Sequence, residues 1–112
     1  MAHTLRFRAT NRDIWTAIKS GKKKVETRAA TSRYRKIEVG DRVVLVCGSS
    51  RFTKKISKVR IFKSVRGLTR VYNPQSINPA CRTIKELEAM YFSFPGYREK
   101  IKKHGIIALE LK

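Results

Sequence analysis

Residues 20–28 read SGKKKVETR, placing a carboxylate (Glu26) and a guanidinium (Arg28) two positions apart, directly after Lys22, Lys23 and Lys24. On an extended strand this spacing turns Glu26 and Arg28 to one side and Val25, Thr27 and Ala29 to the other. Two roles are open to the pair. It is a salt bridge that pins the strand, or it offers an acceptor and a fork-shaped donor together to the edge of a base. Lys23 adds a flexible point charge for a phosphate or a polarised carbonyl. Gly21 lets the chain leave a helix at positive φ and approach a sheet closely. Indiscriminate attraction of polyanions needs only cations, so Glu26 is what distinguishes a site from a patch.

Net charge widens the case. The 112 residues carry 27 Lys and Arg against 8 Asp and Glu, a formal charge of +19. No acid lies between Asp41 and Glu86, and that stretch holds 11 cations, among them Arg51, Lys54 and Lys55. Such self-repulsion opposes compaction unless a polyanion relieves it, and a folded domain this basic most often meets phosphate backbone. Arg33, Arg35 and Lys36 extend the basic track, with Tyr34 a stacking partner for an unpaired base. Hydrophobic content of 41% fits a single folded domain over residues 1–112. The longest apolar run, VVLVC at 43–47, is far short of the roughly 20 residues that span a bilayer. The start of the chain shows no secretory h-region. Cys47 and Cys81 match no zinc or redox spacing and read as idle thiols in a reducing cytoplasm. Neither a metal nor a cofactor is implied, and no feature sets an oligomeric state.

The positioning elements follow from periodicity. TLRFRA, residues 4–9, alternates as a half-buried strand. Thr10 and Asn11 are N-cap candidates for a helix with the apolar stripe Ile14, Trp15 and Ile18, ending near Gly21. Residues 23–30 predict a strand, and TSRYRK predicts a basic loop. VGDRVVLVCG predicts a turn, then an interior strand apolar on both faces. RFTKKISKVRIFKSV predicts a long basic strand or hairpin. Phe52 and Ile56 share one parity there, and Val59, Ile61 and Val65 the other, so a β-bulge belongs near Ser57 and Lys58. NPQSINP reads as loop. Thr83 and Glu86 form a capping box for a helix closed by FSFPG, its aromatic residues packed as core. A short helical piece, YREKIKKHG, leads to a final strand with Ile107, Leu109 and Leu111 inward. The predicted fold is α+β, a small, mostly antiparallel β-barrel flanked by two or three helices.

Gly21-x-Lys23-x-x-Glu26-x-Arg28, with a strand and helix before it and a VGDRVVL strand after it, resembles the signature of the ASCH domain, a relative of the PUA RNA-binding fold. The later FPGY and GIIALEL segments resemble the family too, so the likeness spans nearly the whole chain. It implies a PUA-like barrel with a cleft lined by the signature residues. The implied partner is RNA, in which the cleft accepts a nucleotide, possibly a modified one. The nucleic-acid-binding set is then Gly21, Lys22, Lys23, Lys24, Glu26, Arg28, Arg33, Tyr34, Arg35, Arg51, Lys54 and Lys55. The resemblance also implies two hydrolytic activities, with Lys23 and Glu26 the catalytic pair if the protein is an enzyme. One is RNA cleavage, whose in-line attack needs a base, a cation near the phosphorane and often an acid, roles open to Lys23, Glu26, Tyr34 and Arg28. In the other, some relatives hydrolyse N4-acetylcytidine using the signature lysine, a threonine three residues on and a later glutamate. Here Lys23 matches, Glu26 stands at the threonine position, Thr27 faces the opposite side of the strand, and no acid lies between Asp41 and Glu86. The sequence therefore favours a cytoplasmic RNA-binding domain over a hydrolase.

Overall fold

The structure is a computed structural model and describes residues 2–112. Five strands form one curled sheet: β1 (Ala2–Phe7), β2 (Val25–Ala29), β3 (Arg42–Cys47), β4 (Ser50–Phe62) and β5 (Ile106–Leu111), in the order β1-β3-β4-β5-β2. Among the described residues six helices accompany them: α1 (Arg12–Lys19), α2 (Ser32–Arg35), α3 (Val65–Thr69), α4 (Pro74–Ile77), α5 (Ile84–Ser93) and α6 (Tyr97–His104). Only α1, α5 and α6 reach eight residues, and these are the flanking helices that the apolar periodicity predicts.

The curl comes from β4. Its first half pairs with β3 and its second half with β5, and the register shifts between Ile56 and Lys58 at the handover. That shift is the bulge expected from the parity slip, and it bends the strand so the sheet can wrap. Three of the four pairings are antiparallel, while β1 runs parallel to β3. The sheet does not close, because β1 and β2 are its two edges and are not paired with each other.

Each face of the sheet has its own core. Inside the curl lie Leu5, Trp15, Ile18, Leu45, Ile56, Ile107 and Leu109, with the Trp15 indole N–H donating to the Leu45 carbonyl at 3.0 Å. Outside it, Val25, Ala29, Ile106 and Ala108 pack against Leu68, Leu87, Tyr91 and Ile101 of the helices. The alternation of VETRA is thereby used on both sides of β2.

Several boundaries differ from the sequence reading. Val65 is not a strand residue. It starts α3, whose cap is Ser64, with the side chain accepting from Gly67 N–H at 3.1 Å. TSRYRK and NPQSINP each wind one helical turn, the second with Pro74 in its first turn, where a missing N–H costs nothing. Asn11 precedes α1 without a side-chain cap bond, after a 3₁₀ turn over Ala9–Asn11. The Thr83 cap forms as expected, accepting from Glu86 N–H at 3.1 Å. No helix among the described residues is long and apolar enough to cross a membrane.

Candidate functional site

Helix α1 and strand β2 place the signature residues. Gly21 takes φ +85° after the last turn of α1, so the chain reverses as its sequence predicts. A Cβ there would meet nothing within 4 Å, so the glycine serves conformation and not close packing. Lys23 is tied back by its own N–H, which donates to Ala17 O at 3.0 Å. Its side chain is buried, and Nζ donates to the Val25 carbonyl and, at 2.9 Å, to Glu26 Oε1. The other carboxylate oxygen, Oε2, accepts from Arg28 Nε at 3.0 Å. Glu26 thus spends one oxygen on each cation.

Arg28 reaches furthest. Its Nη2 donates to the Arg6 carbonyl at 3.2 Å, crossing from the β2 edge to the β1 edge. Its guanidinium carbon lies 4.9 Å from the Phe7 ring centroid and 5.8 Å from that of Tyr34. Two aromatic faces and a carboxylate therefore hold the fork in one orientation.

Burial works to raise the Glu26 pKa, but the charges of Lys23 and Arg28 outweigh it and keep the carboxyl below its usual range. Burial likewise works against the Arg28 charge, and Glu26 more than offsets it, so the guanidinium is raised and stays protonated. One carboxylate between two cations leaves the triad with a net positive charge.

The triad lines a cavity of about 320 Å³ in the seam between β1 and β2. Arg6, Phe7 and Arg8 enter from the β1 side, Tyr34 from α2, and Met90, Tyr91, Phe94, Tyr97 and Lys100 from the α5–α6 region. Five lining cations, Arg6, Arg8, Lys23, Arg28 and Lys100, face a single carboxylate, Glu26. Tyr91 and Tyr97 stack with centroids 6.4 Å apart, and Phe94 meets Tyr97 edge-on at 5.3 Å. Burial pushes the phenols of both tyrosines up, so both are neutral. The cavity combines excess positive charge, aromatic walls and a paired acceptor and donor.

Four of the sequence-predicted residues meet here: Lys23, Glu26, Arg28 and Tyr34. The others lie elsewhere. Lys22, Lys24 and Arg33 are exposed and outside the lining, with Arg33 set over the outer face of Tyr34 at 5.6 Å. Arg35 has a structural task, donating from Nε to Ala30 O and from Nη2 to His104 O, each at 2.7 Å, so it caps the end of α6. Arg51, Lys54 and Lys55 belong to the half of β4 that pairs with β3, away from the lining.

Thr27 requires a closer description. Its side chain does point to the face opposite Glu26, where its hydroxyl bonds the Tyr91 hydroxyl. The cavity wraps around the edge of β2, however, so Thr27 lines it as well. Sequence reasoning missed Arg6, Arg8, Tyr97 and Lys100, and assigned the aromatic residues of FSFPG to packing alone. The FPGY segment is the signal for the aromatic wall, through Phe94 and Tyr97, and the three cations had none. Among the described residues no group of three or more His, Cys, Asp or Glu could hold a metal ion.

The chain resembles solved structures in fold. Hypothetical protein PH0355, a crystal structure, superposes with a TM-score of 0.83 at 22% identity, over 100% of this chain and 98% of that one. Protein PF0455 from Pyrococcus furiosus, a solution NMR structure, gives 0.77 at 25% identity, over 100% and 96%. No family model and no curated protein matches the chain. These likenesses establish the α+β half-barrel, and the chemistry rests on the residues themselves.

Proposed function

We propose that this is an RNA-binding domain of the ASCH and PUA-like type, whose seam cavity takes one unstacked nucleotide while surface cations hold the phosphate backbone. The observation that carries the reading is the buried Lys23–Glu26–Arg28 triad inside a cavity lined by five cations, one acid and several aromatic rings. Arg6, Arg8 and Lys100 flank the entering backbone. The exposed cations of β4 contribute long-range attraction and no selectivity.

The test is binding of a single-stranded RNA oligonucleotide across a salt series. Affinity falls steeply with salt, and Arg28→Met weakens binding about tenfold or more, the scale of a lost charge-assisted hydrogen bond. Lys63→Ala, an exposed change outside the cavity, has under about a third of that effect. A flat salt response contradicts the reading.

The hydrolase alternative has less support. Lys23 Nζ is engaged by Val25 O and Glu26, and the Thr27 hydroxyl is paired to a neutral phenol that cannot act as its base. Glu86, the first acid after Asp41, is occupied in capping α5. Turnover of N4-acetylcytidine that Glu26→Gln abolishes would reverse this ranking.

A further inference from the structure

The hydrogen-bond pattern of β2 sets one residue's backbone apart from its neighbours. Leu111 N–H donates to Lys24 O at 2.8 Å, and Ala30 N–H donates to Gly105 O at 2.9 Å. In an antiparallel ladder, bonded and non-bonded positions alternate. Lys24, Glu26, Arg28 and Ala30 therefore turn their backbone groups to β5. Val25, Thr27 and Ala29 turn theirs to the open seam. The Val25 carbonyl is taken by Lys23 Nζ. The Ala29 carbonyl is taken by Thr31 N–H at 2.8 Å, and Ala29 N–H reaches the Tyr97 hydroxyl at 3.5 Å. At Thr27 neither N–H nor C=O has a protein partner among the described residues, although the residue is 8% exposed and lines the cavity. A donor and acceptor left this way on a largely buried residue favour a ligand that satisfies both.

Resting on the nucleotide reading above, we propose that the Thr27 backbone N–H and C=O read the Watson–Crick edge of the bound base. The N–H and C=O of one extended residue point in the same direction, and adjacent acceptor and donor atoms on a base edge complement them. A ring bonded there continues the plane of the sheet. Phe7, Tyr34 and the Arg28 guanidinium then lie toward one of its faces, and Phe94 and Tyr97 toward the other. Recognition through one donor and one acceptor accepts several unmodified bases. It rejects any base whose pairing edge is occupied, so the site selects unpaired nucleotides.

The experiment titrates ¹⁵N-labelled protein with the four ribonucleoside 5′-monophosphates, and with 3-methyluridine and 1-methyladenosine 5′-monophosphates, which are blocked on that edge. For at least one unmodified nucleotide, the Thr27 amide moves downfield more than any other β2 amide and its hydrogen exchange slows. The blocked counterparts bind about tenfold more weakly and leave Thr27 in place. If blocked and unblocked nucleotides bind equally and shift cavity resonances without moving Thr27, the backbone assignment is overturned and the nucleotide site stands. If no nucleotide moves any cavity resonance, the site reading falls and this inference falls with it.

Discussion

Arg28 bonds the Arg6 carbonyl at 3.2 Å across the open seam of the sheet, so one side chain joins two strands that share no ladder. The same guanidinium holds Glu26 and lies against Phe7. Structural closure and the candidate binding site therefore depend on one residue. Lysine retains the charge but has no fork to serve both acceptors. Arg28→Lys is expected to cost about 1–3 kcal/mol in urea unfolding and to loosen β1 in hydrogen exchange.

Within the triad, Glu26 matters most to stability. Glu26→Gln leaves two buried or half-buried cations facing each other without a countercharge, and is expected to cost about 3–5 kcal/mol. Lys23→Met removes one cation and leaves Glu26 paired with Arg28, so its cost is smaller. Denaturant unfolding of both variants checks the order, and the reverse order would show that Lys23 is the structural member.

Two glycines, both at positive φ, predict different costs. A Cβ on Gly105 would sit 2.3 Å from the Phe62 carbonyl oxygen, and φ is +82°. Gly105→Ala is expected to lose about 3 kcal/mol or more, through strain and through displacement of β4 from the start of β5. Gly21→Ala meets no atom within 4 Å and pays only for its backbone, about 1–2 kcal/mol. Thermal unfolding of the pair separates collision from conformation.

Acid stability has an identified contributor. Asp41 Oδ2 accepts from His3 Nε2 at 2.8 Å and from Glu38 N–H at 3.0 Å, and these bonds lower its pKa from 3.8 to about 2. A carboxyl depressed in the fold stabilises it at pH values above the unfolded pKa. That contribution is full above about pH 4 and is lost as pH falls from there through about 2. Asp41→Asn is expected to flatten the unfolding free energy against pH in that window while leaving it unchanged in slope near neutrality.

The local parts of this site were legible because they depend on neighbours in sequence. Alternation in KVETRAA places Glu26 and Arg28 together, the parity change from Ile56 to Val59 marks the bulge, and Thr83 with Glu86 marks the start of α5. Non-local parts were not legible. Nothing in TLRFRA says that β1 pairs in parallel with β3 and leaves its other edge facing β2. For the same reason Arg6, Arg8 and Lys100 carried no sign that they would meet Lys23 in one cavity. Arg35 read as a phosphate ligand because its charge is visible in sequence, while its carbonyl partners on Ala30 and His104 are not.

Photocrosslinking of a single-stranded RNA carrying 4-thiouridine, followed by mass spectrometry of the adducted peptides, tests the central claim most directly. The account predicts adducts on the cavity residues, above all Tyr34, Phe94 and Tyr97, and their loss in Arg28→Met protein that remains folded. Adducts confined to the cationic surface of β4, unchanged by that substitution, would contradict it.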